Sequence, residues 1–101
     1  MVRHVIIWTL KDEFATREKE TIRQGIKAGL EGLQGKIPGL LDIHVRINGL
    51  KSSNGDLMLD ALFEDEQALK DYSANPLHNA VADEKVRPFT KLRSCFDFEE
   101  D

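Results

Sequence analysis

The chain has 101 residues, of which 41% are hydrophobic and 32% charged, with a formal net charge of -4. This length fits one compact domain, and we expect a single domain spanning residues 1–101. The acidic balance disfavours nucleic acid and anionic membrane partners, and every apolar run is shorter than the roughly 20 residues of a membrane-spanning helix.

The first predicted element is a strand from Val2 to Leu10. Its side chains alternate between two faces, with His4, Ile6, Trp8 and Leu10 on one and Arg3, Val5, Ile7 and Thr9 on the other. Both faces carry apolar groups, and this pattern is typical of a strand that is covered on both sides.

The second predicted element is a helix from Thr16 to about Gln34. Its apolar positions recur at steps of three and four: Ile22, Ile26, Leu30, Leu33 and Ile37. We expect Thr16 to be the N-cap, and Gly35 with Pro38 to end the helix. The interior glycines Gly25, Gly29 and Gly32 indicate close packing against the sheet in preference to a ligand cavity.

The second half of the chain predicts three strands and two short helices. The strands are Asp42–Asn48, Asp56–Glu64 and Leu92–Glu99, and one helix follows its cap Asp65 while the other runs from Leu77 to about Val86. Asn75 as N-cap and Pro76 at the first helical position separate the two helices.

This order of elements predicts an α+β fold of the ferredoxin-like kind, an antiparallel four-stranded sheet with helices on one face. The face without helices is too apolar to be solvated. It would carry Val5, Ile7, Met58 and Leu62, together with either Leu92, Phe96 and Phe98 or Cys95. We therefore expect a homodimer in which two copies stack through this sheet face and form a dimeric α/β barrel.

Several segments resemble the stress-responsive dimeric A/B barrel (Dabb) domain family. They are the opening Met-Val-Arg-His-Val-Ile-Ile-Trp-Thr-Leu-Lys-Asp-Glu, Gly35–Gly39, Phe63-Glu64 with Asp71-Tyr72, Asn75–His78 and Phe96–Glu99. The resemblance covers nearly the whole chain in order and implies a homodimeric ferredoxin-like barrel. It is specific for the fold and weak for function, because most members have no assigned reaction.

One plant branch of this family, the olivetolic acid cyclase branch, catalyses an aldol-type ring closure with a tyrosine and a histidine. By position in the Asp-Tyr and Pro-X-His segments, the resemblance assigns those catalytic roles to Tyr72 and His78. It also implies that His4 and Asp97 are polar residues of the site. That branch has bulky aromatic residues on the first helix where this chain has Ile26 and Leu30, and the difference argues against a phenolic polyketide substrate.

The residues themselves give both candidates a chemical role and a structural alternative. His78 would lie near the positive end of the last helix, where a neutral imidazole could act as a base, or the ring could merely share in capping. Tyr72 could donate a hydrogen bond to an enolate oxygen, or be an ordinary core aromatic. The predicted ligand pocket would be lined by Trp8, Ile26, Leu30 and Leu59, and a cavity of roughly 300 Å³ or more that opens onto Tyr72 and His78 would favour a ligand-binding function.

The remaining polar candidates have predominantly structural interpretations. A buried pair of His4 and Asp97 could lock the strands or form a catalytic pair, because burying either group alone is costly. We expect His44 to be solvated and Cys95 to be a small core residue. The spacing of the three histidines gives no metal motif, so no metal site is predicted.

Three functions stay open at this point. The first is a cofactor-free enzyme of the lyase or cyclase kind, or a binding protein, that presents Tyr72 and His78 to a small carbonyl compound. The second is a non-catalytic stress-response or interaction domain, and the third a haem-binding, monooxygenase-like protein. The single Cys95 and the absence of a signal-peptide pattern make the cytoplasm the expected compartment, with Met1 as the first residue of the mature chain.

Overall fold

A computed structural model describes residues 1–100. Its strands are β1 (Val2–Leu10), β2 (Leu40–Arg46), β3 (Leu57–Phe63) and β4 (Thr90–Glu99). Its helices are α1 (Thr16–Glu31), α2 (Glu66–Ala74) and α3 (Pro76–Val81), and α3 continues into a π-helical turn, Ala82–Val86. The predicted elements all exist, with boundaries shifted by a few residues.

The four strands form one antiparallel sheet in the order β2-β3-β1-β4. The alternating residues of β1 that begin with Val2 are buried on the inner face, which we define as the sheet face that the helices cover. They pack with the apolar stripe of α1, where Ile26 and Leu30 are buried. The prediction of a ferredoxin-like sheet with helices on one face is confirmed.

Polar side chains fix the beginnings of the two short helices. Asp65 accepts a hydrogen bond from the Ala68 amide at 2.8 Å, and Asn75 accepts one from the Leu77 amide at 2.8 Å. At α1 the predicted N-cap is wrong, because Thr16 is already the first helical residue. Ala15 takes that position instead, and its amide donates to the Glu18 carboxylate at 2.9 Å.

The glycines of α1 have unequal surroundings, so the expected packing against the sheet is not what explains them. A Cβ on Gly29 would lie 3.0 Å from Cγ1 of Val81, so Gly29 lets α1 approach α3. A Cβ on Gly25 would meet no atom within 4 Å, and Gly32 lies just beyond the helix end. A Cβ on Gly32 would lie 3.0 Å from the Ala28 carbonyl oxygen of the same helix, so close packing against another element is confined to Gly29.

Strand β4 is exposed on both faces, and its pairing with β1 decides which side chains share a face. Phe96 is opposite Val5 on the outer face, the sheet face opposite the helices, and Leu92 and Phe98 lie on the same side. Cys95 is opposite Ile6 on the inner face and is exposed. The prediction that Cys95 is a core residue is wrong, because no helix covers this edge strand.

None of the helices within residues 1–100 combines the length and the apolar character needed to cross a bilayer.

Two glycine substitutions test the backbone of this fold in opposite directions. Gly39 has φ +82°, and an added Cβ would lie 2.5 Å from the Ala68 Cβ, so Gly39→Ala should lower the free energy of unfolding by more than about 1 kcal/mol. Gly25→Ala in the open helix interior should raise it by about 0.5–1 kcal/mol. Urea denaturation at one protein concentration measures both, and a neutral Gly39→Ala would contradict the turn geometry.

Candidate functional site

A cavity of about 120 Å³ lies between the inner face of β1 and the segment that runs from α2 to the start of β4. Six of the eight residues predicted for the site line it: His4, Trp8, Leu30, Leu59, Tyr72 and His78. Ile26 is instead fully buried in the core, and Asp97 lies outside the cavity on β4. The cavity is also smaller than the roughly 300 Å³ that would favour a ligand-binding function.

The break at Asn75-Pro76 brings Tyr72 and His78 together. Tyr72 is on the last turn of α2 and His78 on the first turn of α3, and their ring centroids lie 4.1 Å apart with a 39° angle between the planes. The Tyr72 ring is 1% exposed and packs edge-to-face on Phe63 at 5.0 Å. A tightly packed core therefore holds Tyr72 in place, while His78 is only half-buried.

The polar atoms of this pair are buried without a protein partner. Among residues 1–100, neither the Tyr72 hydroxyl nor Nδ1 of His78 makes a hydrogen bond of good geometry. An unpaired buried hydroxyl or ring nitrogen costs roughly 1–3 kcal/mol, so native proteins keep few of them. Both atoms belong to residues that line the cavity, where a small polar molecule could satisfy them.

The surroundings hold both rings in their neutral forms. Burial lowers the pKa of His78 to about 4, the neighbouring Arg87, His4 and Arg93 act in the same direction, and an interaction with the Ser73 backbone opposes them. Burial raises the pKa of the Tyr72 phenol well above its usual value. At neutral pH the site therefore presents one unprotonated imidazole and one protonated phenol, a base and a hydrogen-bond donor side by side.

His4 and Asp97 form the pair that the sequence suggested, because they are directly opposite in the β1–β4 register. Nδ1 of His4 contacts Oδ1 of Asp97, and the His4 ring lies edge-on to Tyr72 with centroids 6.3 Å apart. Cys95 joins them, its Sγ 3.8 Å from His4 Nδ1 and 3.5 Å from Asp97 Oδ1. Burial and the Asp97 carboxylate raise the pKa of the Cys95 thiol, which keeps it protonated.

The third histidine lies apart from the cavity. His44 is half-exposed on the outer face, where its Nε2 lies 2.9 Å from Oδ2 of Asp42. This position agrees with the expectation that His44 is solvated.

Two arginines of the cavity wall were missed by the sequence analysis. Arg87 follows the π-helical turn and pairs with Asp83, and Arg93 lies on β4 opposite Trp8. Within residues 1–100, Arg93 forms no ion pair with a carboxylate. The alternation of β4 could have placed Arg93 on the Asp97 side, but only the register with β1 puts it beside the cavity.

The fold defines a ferredoxin-like α+β domain. Residues 2–100 match the family model of the stress responsive A/B barrel domain, Dabb. The chain belongs to this family, and the resemblance noted in the sequence is confirmed. No curated protein sequence matches significantly.

Solved structures agree with this assignment. A dimeric protein of unknown function with a ferredoxin-like fold from Bacteroides fragilis has a TM-score of 0.90 and 25% identity, over 98% of this chain and 95% of that one. A Dabb family protein from Mesorhizobium loti has a TM-score of 0.74 and 18% sequence identity, over 98% of this chain and 95% of that one. A hydroxynitrile lyase from Passiflora edulis has a TM-score of 0.70 and 13% sequence identity, over 96% of this chain and 90% of that one. This similarity is one of fold alone.

The depressed pKa of His78 predicts a pH-dependent stability. Between about 4 and 6.5 the unfolded chain holds a proton on His78 that the folded chain lacks, so the free energy of unfolding should fall as the pH drops through this window. His78→Gln should flatten that slope in urea denaturation. Histidine C–H resonances followed by NMR provide a direct check, and a His78 midpoint near 6.5 would contradict the buried site.

Proposed function

We propose that this protein is a homodimeric small-molecule enzyme of a cofactor-free, lyase- or cyclase-like kind, built as a single domain over residues 1–101. Its substrate is a small carbonyl compound bound between Tyr72 and His78. The observation that supports this most strongly is a pair of buried polar atoms that make no hydrogen bond, a phenol hydroxyl and an imidazole nitrogen, on residues that line one cavity.

The two neutral rings suit proton abstraction next to a carbonyl. The Tyr72 hydroxyl donates a hydrogen bond to the carbonyl oxygen, while the unprotonated His78 imidazole takes a proton from the adjacent carbon. The C–H electron pair forms the new C=C bond, and the carbonyl π electrons move to oxygen as an enolate. The reaction is completed when His78 returns the proton to carbon, or when the enolate carbon attacks a second carbonyl and His78 gives its proton to the alkoxide that forms; either way neutral His78 is restored.

Positive charge at the cavity wall supports an anionic intermediate. Arg87 and Arg93 both line the cavity, and both oppose protonation of His78. The same fields that make His78 a weak base in the free protein stabilise negative charge on an enolate or a substrate carboxylate. Small keto acids therefore fit the electrostatics of the site.

The size of the cavity sets a limit on the ligand. Pockets for drug-sized ligands have volumes of about 300–1,000 Å³, whereas this one has about 120 Å³. Haem is too large for this space. A molecule of a few heavy atoms fits, and the reacting portion of a longer substrate could enter from the half-exposed His78 side.

Exchange of α-protons in D₂O tests the catalytic proposal, with pyruvate and acetylacetone as probes and ¹H NMR as the readout. The wild-type protein should speed the exchange of at least one probe above the buffer rate. His78→Gln should reduce that acceleration by about 10²–10⁴-fold, and Tyr72→Phe by about 10²-fold.

The matched control for this experiment is His44→Gln, which removes the exposed histidine on the outer face and should leave exchange unchanged. Equal exchange rates in wild type and His78→Gln would contradict the catalytic role. If both probes exchange no faster with the protein than in buffer alone, and neither raises the melting temperature, the non-catalytic alternative is favoured.

The dimer is proposed from the outer face of the sheet. Its large side chains are solvent-exposed in the single chain, to 44% for Ile7, 60% for Leu92, 69% for Phe96 and 37% for Phe98. A contiguous apolar surface of this kind is uncommon on monomers. Arg3 on the same face already pairs with Asp60 at 2.5 Å and Glu100 at 2.6 Å, so a partner could cover these charges without leaving them unpaired.

A charge on the outer face should separate the two copies. Phe96→Glu would bury an unpaired carboxylate at the proposed interface, and we expect this variant to be monomeric at micromolar concentration in light scattering after size exclusion. Leu50→Glu is the matched control, because Leu50 is 80% exposed in the β2–β3 connection and the variant should stay dimeric. A monomeric wild-type chain would overturn the proposal.

A further inference from the structure

We propose that His4, Cys95 and Asp97 form a binding site for a divalent metal ion of the Zn²⁺ class at the β1–β4 edge. The site shares His4 with the wall of the Tyr72–His78 cavity but uses neither of those two residues, and it does not depend on the proposed reaction. One ligand atom from each residue contributes: an imidazole nitrogen, a thiolate sulfur and a carboxylate oxygen.

The spacing of these atoms suits tetrahedral coordination. With metal–sulfur and metal–nitrogen or metal–oxygen lengths of about 2.3 and 2.0–2.1 Å, tetrahedral ligands have sulfur about 3.6 Å from the nitrogen or oxygen atom. Cys95 Sγ lies 3.8 Å from His4 Nδ1 and 3.5 Å from Asp97 Oδ1, and the three atoms fall within 4.8 Å of one another. Only the distance between His4 Nδ1 and Asp97 Oδ1 has to change on metal binding, because it must lengthen to about 3.4 Å.

All three proposed ligand residues lie on the paired strands β1 and β4, and none lies on a loop. His4 pairs with Asp97 across the β1–β4 ladder, and Cys95 is two residues from Asp97, so both β4 side chains emerge on the inner face beside His4. His4 is 5% exposed and anchored in the core, whereas Cys95 and Asp97 are exposed. A metal ion can therefore reach the site from solvent, and its fourth position stays open to water.

The ligand types favour a borderline-soft cation over Mg²⁺ or Ca²⁺. Thiolate and imidazole together select Zn²⁺ and its neighbours, while hard cations prefer all-oxygen sites. Because cysteine binds a metal ion as the thiolate, metal binding at this site releases the thiol proton to solvent. The outer face proposed for dimer contact lies on the opposite side of β4, so a dimer leaves the site accessible.

Co²⁺ and Zn²⁺ added to the reduced full-length chain, after chelator treatment, test this site. Co²⁺ should produce a thiolate-to-metal charge-transfer band at a 1:1 ratio, and Zn²⁺ should displace it. Cys95→Ser should abolish the band, and Asp97→Asn should weaken Zn²⁺ binding about tenfold or more. Both residues are exposed, so neither variant depends on refolding the core.

His44→Gln is the matched control, because it removes the other histidine–carboxylate pair, which lacks a thiol, and it should leave metal binding unchanged. His78→Gln should also leave binding unchanged, which separates this site from the proposed catalytic one. Co²⁺ binding without a thiolate band, Zn²⁺ affinity retained by Cys95→Ser, or no stoichiometric binding would each overturn the proposal.

Discussion

The register between β1 and β4 is the constraint on which the features of this molecule depend. Side chains alternate along a strand, so a shift of one residue would exchange the two faces of β4. In the observed register Asp97 is opposite His4 on the inner face, and Phe96 is opposite Val5 on the outer face. One pairing therefore produces both a polar cluster beside the cavity and an apolar surface for a second copy.

The cavity holds buried polar groups that lower the stability of the domain. Packing on Phe63 fixes Tyr72, but the phenol gains no hydrogen bond from that position, and the His78 nitrogen gains none either. A sequence selected for stability alone would replace these polar groups with apolar ones or give them hydrogen-bond partners, because each buried polar atom without a partner lowers the free energy of unfolding. Their presence beside two arginines is consistent with a site that keeps its polar groups for a ligand.

Local patterns in the sequence predict most of the elements but not their contacts. The Asn75-Pro76 signal correctly places Tyr72 and His78 across one break, because capping and turn chemistry act over a few residues. Cys95 was misplaced in the core because strand alternation cannot reveal that β4 is an uncovered edge. The positions of Arg93 beside the cavity and of Cys95 beside His4 depend on pairing with residues more than 80 positions away in the sequence. No local pattern encodes that register.

Cross-strand NOEs measured by NMR on the isotope-labelled protein test the central claim most directly. The account predicts backbone NOEs that link His4 to Asp97 and Ile6 to Cys95 as direct antiparallel partners. NOEs that instead pair His4 with Phe96 or Phe98 would move Phe96 onto the inner face and Cys95 and Asp97 onto the outer one. That result would contradict the proposed metal site, the arginine at the cavity wall and the proposed dimer surface together.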